Sequence, residues 1–354
     1  MVTDLAKKIP TIDRFQNRTR IVGIASVLLF SLAALAPYIA PPELTSQWIK
    51  LFYLIILATM WNLMAGYAGM ISVGQQAFIG LGAYGIFVFN DMGFDPYSST
   101  FLSVIAVGVI AFPISFLAFR LRGGYFAIGT WIIAETVRQI IISFDELGLG
   151  RGRGISQYVE DPIFRNMFNY WTALAILALS LGATFYLLRS RQGIALQSIR
   201  DNEVAAKSLG IRVDGTKRIV YVVAAMGAAG AGGIICLQAL GVASPSAIFS
   251  VNFSAFMIFM VLIGGIGTIE GPIIGALVYF VMDLYLSQLG LWYLAGLGVM
   301  AILITLYLPR GIWGELAHRF DISIFPVGHR VLFLGGVGDA HPLNFLKSKL
   351  INRK

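Results

Sequence analysis

Glu135 and Arg138 stand three residues apart inside a long apolar run, which puts both on one face of a helix. A charge at the centre of a bilayer costs at least ~2.5–3.5 kcal/mol on insertion scales, so such a pair should face the bundle interior and neutralise itself or a neighbour; Arg138, nearer the outer end, could also snorkel. The pair is either a structural ion pair or part of the lining of a solute path. A second polar set, Ser72, Gln75 and Gln76, lies among glycines between Asn62 and Tyr84. Uncharged polar groups beside glycines suit a broken helix whose freed backbone could meet a solute. They equally suit a packed helix with a few interhelical hydrogen bonds. Asp283 falls near the outer end of its own apolar run, where interfacial solvation would hold it.

Other chemistries are missing from the pattern. No G-x-x-x-x-G-K-[ST] phosphate cradle occurs, and Gly215-Thr-Lys217 lacks the upstream glycine loop. The three histidines, His318, His329 and His341, all follow the last apolar run and show no paired spacing. Cys236 is the single cysteine, so neither an intrachain disulfide nor a CxxC metal site can form. No catalytic residue, metal ligand set or bound cofactor is therefore assigned to this chain. If transport is active, its energy comes from another chain or an ion gradient.

The elements that must position these residues are membrane helices. Of 354 residues, 57% are hydrophobic and only 12% charged, with a mean hydropathy of +0.78. Soluble domains carry about 25% charged residues, and half that cannot cover a water-facing surface. Apolar runs follow one another with short connections, which predicts one all-α polytopic transmembrane bundle and not two soluble domains. Ten spans are expected, over 21–40, 50–65, 71–89, 99–119, 123–144, 170–188, 218–240, 252–267, 272–287 and 291–308. The first is longer than a signal h-region of about 7–15 residues, and reads as a retained helix. Three of them, 50–65, 252–267 and 272–287, are short for a crossing and could be half-helices or re-entrant segments.

Charge placement orients the bundle. The formal net charge of +8 sits in loops and so does not point to nucleic acid. Residues 1–20 form a basic cytoplasmic segment, 21–308 the membrane domain, and 309–354 a basic cytoplasmic tail. Alternation then puts the Arg120–Arg122 turn and the loop 189–217 inside, and both termini are cytoplasmic by the positive-inside rule. The outside loop 145–169 is the exception, carrying Arg151, Arg153 and Arg165 beside four acidic residues. The inside loop 189–217 reads as an amphipathic helix over Ala195–Ser208 ended by Gly210, because glycine alone enters the left-handed conformation without penalty. Gly267, Gly271 and Gly275 stand four apart, and 224–233 is nearly free of side chains. Small residues let helices approach closely in lipid; they also suit helices that slide around a path.

Four segments carry a family likeness. Ala195-Leu-Gln-Ser-Ile-Arg-Asp-Asn-Glu-Val-Ala-Ala-Lys-Ser-Leu-Gly-Ile211 resembles the cytoplasmic coupling segment of permeases from high-affinity branched-chain amino-acid ABC importers, LivM-type above all. Asn62 to Tyr84 is similar to that family's early glycine-rich signature, Phe126-Ala-Ile-Gly-Thr through Glu135 to its middle one, and Gly264 to Ala276 to its late one. They occur in the family's order over roughly 50–310.

The resemblance implies an inner-membrane permease that pairs with a sister permease, two cytoplasmic ATPases holding ATP and magnesium, and a periplasmic binding protein. It implies that Glu203, Ala205, Ala206 and Gly210 dock into the ATPase; Glu203 and Arg200 can each pair with charges across that interface. Branched-chain or other hydrophobic amino acids are the expected solutes; related permeases carry urea, amides or aromatic acids. Two departures stand out. Arg151 and Arg153 lie where the family usually has an uncharged stretch, and the tail beyond Trp313 is long, with apolar pieces at 322–327 and 331–334 that suggest an interfacial extension. An ion-coupled secondary transporter is the alternative of a different class, and would need paired membrane carboxylates. An integral-membrane enzyme would need a catalytic cluster near an interface.

Overall fold

The computed structural model describes residues 10–13, 17–147, 151–155, 161–239, 241–320, 325 and 330–333. The chain opens with β1 (Pro10–Asp13), α1 (Asn17–Ala34), α2 (Ala36–Ile39) and α3 (Pro42–Asn62), which continues as a π-helical turn over Leu63–Tyr67. Next come α4 (Gln76–Asp91), α5 (Pro96–Ala118), α6 (Gly124–Ile142), β2 (Arg153–Gly154) and α7 (Pro162–Arg189). Two short helices, α8 (Arg191–Asp201) and α9 (Glu203–Ser208), lead to α10 (Val213–Gln238). Then follow β3 (Val242–Ala243), α11 (Pro245–Ile248), α12 (Asn252–Gly264), α13 (Glu270–Leu286), α14 (Leu291–Tyr307), α15 (Gly311–Phe320) and β4 (Arg330–Phe333).

Helices dominate because lipid offers no partner to a bare N–H or C=O, so each crossing must satisfy its backbone internally. Local sequence sets their starts. Asp95-Pro96 and Asp161-Pro162 each place an aspartate cap before a proline in the first turn: Asp95 accepts from the N–H of Ser98 at 2.9 Å and Asp161 from that of Ile163 at 2.8 Å.

Nine stretches among the described residues are long and apolar enough to cross a membrane. Three expectations change. The segment read as a short span at 50–65 is part of a 26-residue helix over Pro42–Tyr67. The short spans 252–267 and 272–287 become 20-residue stretches, Pro245–Gly264 and Glu270–Leu289. The short element is instead α4, whose 16 residues cover only part of the expected span 71–89.

α10 forms the middle of the bundle and packs on α3, α4, α5 and α7, while α12 and α13 pack on each other and on α3. Backbones touch there: a methyl on Gly82 would overlap the carbonyl of Ala229, and one on Gly232 that of Ile79. Gly264 and Gly275 do the same between α12 and α13, and Gly271 meets the Gly265 carbonyl in the turn before α13; Gly267, the other glycine of the four-apart set, lies in that turn with φ 79° beside Arg200. α1 lies at the rim, tied to α7 by bonds at 3.0 Å from Tyr170 Oη to the Ala33 carbonyl and from Trp171 Nε1 to that of Ala34. Tyr38, Trp48, Tyr97 and Phe168 cluster with these two aromatics at that level, as an interfacial belt does. At the other face β1 and β4 pair antiparallel, with Asp13 opposite Arg330, which brings the two ends of the chain together. Of the apolar tail pieces, 331–333 belong to β4; 322–324, 326, 327 and 334 lie outside the described residues.

Candidate functional site

The segment after α3 is the first place where backbone leaves regular structure inside the bundle. Residues 69–75 are not helical, and they run back beside α3 so that Trp61 Nε1 donates to the Ser72 carbonyl at 2.9 Å. Neighbours satisfy the loose backbone, as burial in protein demands. Thr130 Oγ1 on α6 accepts from the Val73 N–H at 3.2 Å, and Ser254 on α12 donates both to the Val73 carbonyl at 3.3 Å and to Gln76 Oε1. Ser72, Gln75 and Gln76 are all buried. Ser72 and Gln76 therefore hold the break in place, whereas Gln75 Oε1 has no hydrogen-bond partner among the described residues.

Glu135 and Arg138 form the ion pair that their spacing implied, with the Arg138 Nε at 2.9 Å from Glu135 Oε2 and Gln139 Nε2 at 3.1 Å from Oε1. Their position is informative. The Glu135 side chain is 48% exposed, in the middle of a helix with few neighbours of its own. The pair therefore does not face the interior of the bundle as expected, and at the centre of a bilayer it would be costly unless protein or water covered it.

The coupling segment differs from the expected single helix over Ala195–Ser208. Asn202 is extended (φ −158°, ψ 106°) and its Oδ1 accepts from the Ala205 N–H at 3.0 Å, which ends α8 and caps α9. Gly210 has φ 81° and closes α9 as anticipated, with the Ile211 N–H returning to the Ala206 carbonyl at 3.1 Å. Ala206 is buried against Ile199 and Val213. Glu203 pairs with Lys217 within the chain, at 2.6 Å. Arg200 turns towards the bundle and donates from Nη1 to the Gly66 carbonyl at 2.7 Å. Ala205 and Gly210 are exposed, beside Val204 at 77% and Leu209 at 80% exposure.

Sequence reasoning missed the partners of Asp283 and Arg153, and missed Lys50 and Glu270 altogether. Lys50 and Asp283 form an ion pair between α3 and α13, and Tyr293 Oη donates to Asp283 at 3.2 Å. Solvation at the interface is thus not what holds Asp283; its side chain is only 16% exposed. Glu270 is buried at the start of α13 and accepts from the Phe325 N–H at 2.7 Å. Arg153 joins the outer loop to α4 through Asp91, at 2.6 Å, and the Glu146 carbonyl, at 2.5 Å, while β2 pairs with β3. Arg151 is exposed; residues 148–150 of the same glycine-arginine run lie outside the described residues.

A family model described as branched-chain amino acid transport system / permease component matches residues 44–308. The chain is 27% identical to the high-affinity branched-chain amino acid transport system permease protein LivM of Salmonella typhimurium, over 80% of this chain and 74% of that protein. LivM of Escherichia coli strain K12 gives the same identity and coverage. The autoinducer 2 import system permease protein LsrC of an Enterobacter species is also 27% identical, over 67% of this chain and 77% of its own length. With nine apolar helices among the described residues and a matched region that takes in most of them, this multi-pass membrane chain belongs to the permease component family of branched-chain amino-acid transport systems.

Proposed function

We propose that this chain forms half of the translocation pathway of an ATP-driven importer for branched-chain or other hydrophobic amino acids in a bacterial inner membrane. It holds no nucleotide itself; partner ATPases bind ATP and magnesium, a sister permease completes the path, and a periplasmic binding protein delivers the solute. The amino acid is inferred from the relatives' names and from the family, and the termini are placed in the cytoplasm from the charge of the loops.

The observation that carries the coupling role is the outer face of α9. Val204, Ala205 and Leu209 stand exposed on a short helix anchored on its other side by Ala206. Burying one such leucine is worth about 1.5–3 kcal/mol, so this face suits a groove on a partner. Leu209→Asp should abolish copurification with the ATPases, with folded yield retained. Undiminished copurification would move the docking site elsewhere.

The exposed Glu135–Arg138 pair supports placing the path, or the sister permease that encloses it, against α6. The broken segment leans on the same helix through Thr130, so a shift of α6 reaches Val73 and Gly74 directly. Glu135→Gln should depress uptake by the assembled importer at unchanged folded yield; normal uptake would leave the pair a structural role.

A further inference from the structure

Three elements meet where α3 ends. Met70 N–H, which would ordinarily bond the Gly66 carbonyl one turn back, goes instead to Met64 at 2.9 Å. The Gly66 carbonyl is one of the last in its helix and is left to an outside donor. Arg200, in the last turn of α8, supplies it at 2.7 Å. Beside that bond lies the turn between α12 and α13. Asn62, fully buried, accepts from the Gly267 N–H at 2.8 Å and donates to the Thr268 carbonyl at 2.7 Å. Gly267 has φ 79°, and a Cβ there would stand 2.7 Å from Arg200 Nη1, so the guanidinium fills the space the glycine leaves. On the far side of this turn α15 is pressed close: a Cβ on Gly265 would come within 2.9 Å of the Arg310 carbonyl. The turn therefore has no room to slip away from a push.

We propose that Arg200 is the transmission residue of the importer, passing ATP-driven movement of α8 and α9 to the π turn of α3 and to the α12–α13 turn. The inference rests on the permease reading given above and adds the route by which force enters the bundle. α8 is seated by Leu196 and Ile199, both buried, so it moves as a unit with α9. Its one charged contact with the inner end of α3 is a hydrogen bond from an ionised donor, which is among the stronger kinds. The receiving element suits a switch. A π turn holds one more residue than the α-helical register needs, and such turns recur at functional sites. Releasing or pulling the Gly66 carbonyl favours a different register, and Asn62 carries the change to Gly267 and Thr268.

The test uses the full importer, with sister permease, ATPases and binding protein, reconstituted in proteoliposomes with radiolabelled leucine. In Arg200→Ala the complex should assemble, and leucine taken up per ATP hydrolysed should fall at least about tenfold, as loss of a charge-assisted bond implies. Arg200→Lys, which keeps a donor and the charge, should recover part of that ratio. Gly267→Ala, with Arg200 intact but displaced, should reproduce the loss. An Arg200→Ala importer with the wild-type ratio overturns the proposal. So does an Arg200→Ala chain that no longer binds the ATPases while Arg200→Lys does, since the arginine then serves the partner interface. Should Arg200→Ala not fold, the ratios of Arg200→Lys and Gly267→Ala decide, and two wild-type values refute the route. A wild-type chain that assembles with no ATPase fails differently: the permease reading falls, and this inference with it.

Discussion

Lys50 and Asp283 show what single charges do in this protein. Both sit on helices that cross the membrane, and the Asp283 carboxylate holds Lys50 on one oxygen and the Tyr293 hydroxyl on the other. Asp283→Asn leaves the partly exposed Lys50 ammonium beside apolar helices without its counter-charge, which destabilises the fold. Thermal unfolding in detergent should show Asp283→Asn clearly destabilised and the Lys50→Gln, Asp283→Asn double variant less so; equal losses in the two would mean the charges do not interact. The pair was not legible in the sequence, because its members stand 233 positions apart and no local spacing links them. The Glu135–Arg138 pair was legible, because one turn of helix brings such residues together whatever the rest of the chain does.

Helices are held here by contact between backbones more than by side-chain size. The α4–α10 seam puts Gly82 against Ala229 and Gly232 against Ile79 with no room for a Cβ. Gly82→Leu should therefore remove the folded protein from membranes, measured as loss of a monodisperse peak on size exclusion in detergent. A normal peak would mean the seam yields more easily than close packing allows. Stripes of small residues advertise this seam in the sequence, since lipid-embedded helices gain little from large apolar side chains. Helix ends were harder to read. The start of α3 is hidden because Glu43, Thr45, Ser46, Gln47 and Lys50 make 42–50 polar, and hydropathy mistakes that stretch for a loop. The break before α4 was suggested by Ser72, Gln75, Gln76 and their glycines, but which neighbours would satisfy it depended on Thr130 and Ser254 far along the chain. The division of the coupling helix had a signal in Asn202, a good capping residue, outweighed by the helix formers around it.

At the scale of the molecule, a bundle of apolar helices carries one protruding, partly apolar segment, α8–α9, whose inner side reaches α3 through Arg200 and whose outer side displays Val204 and Leu209. The membrane architecture was evident from composition and from the order of apolar runs. The direction of Arg200 was not, because sequence does not say which flank of a surface helix faces the membrane. The central claim is that this chain is a conduit driven by a separate motor. The most direct measurement is leucine uptake into proteoliposomes, comparing this chain alone under a proton or sodium gradient with the chain plus sister permease, ATPases, binding protein and ATP. Uptake only in the complete, ATP-supplied vesicles is the expected result. Accumulation by the isolated chain under an ion gradient, without nucleotide or partners, would contradict the account.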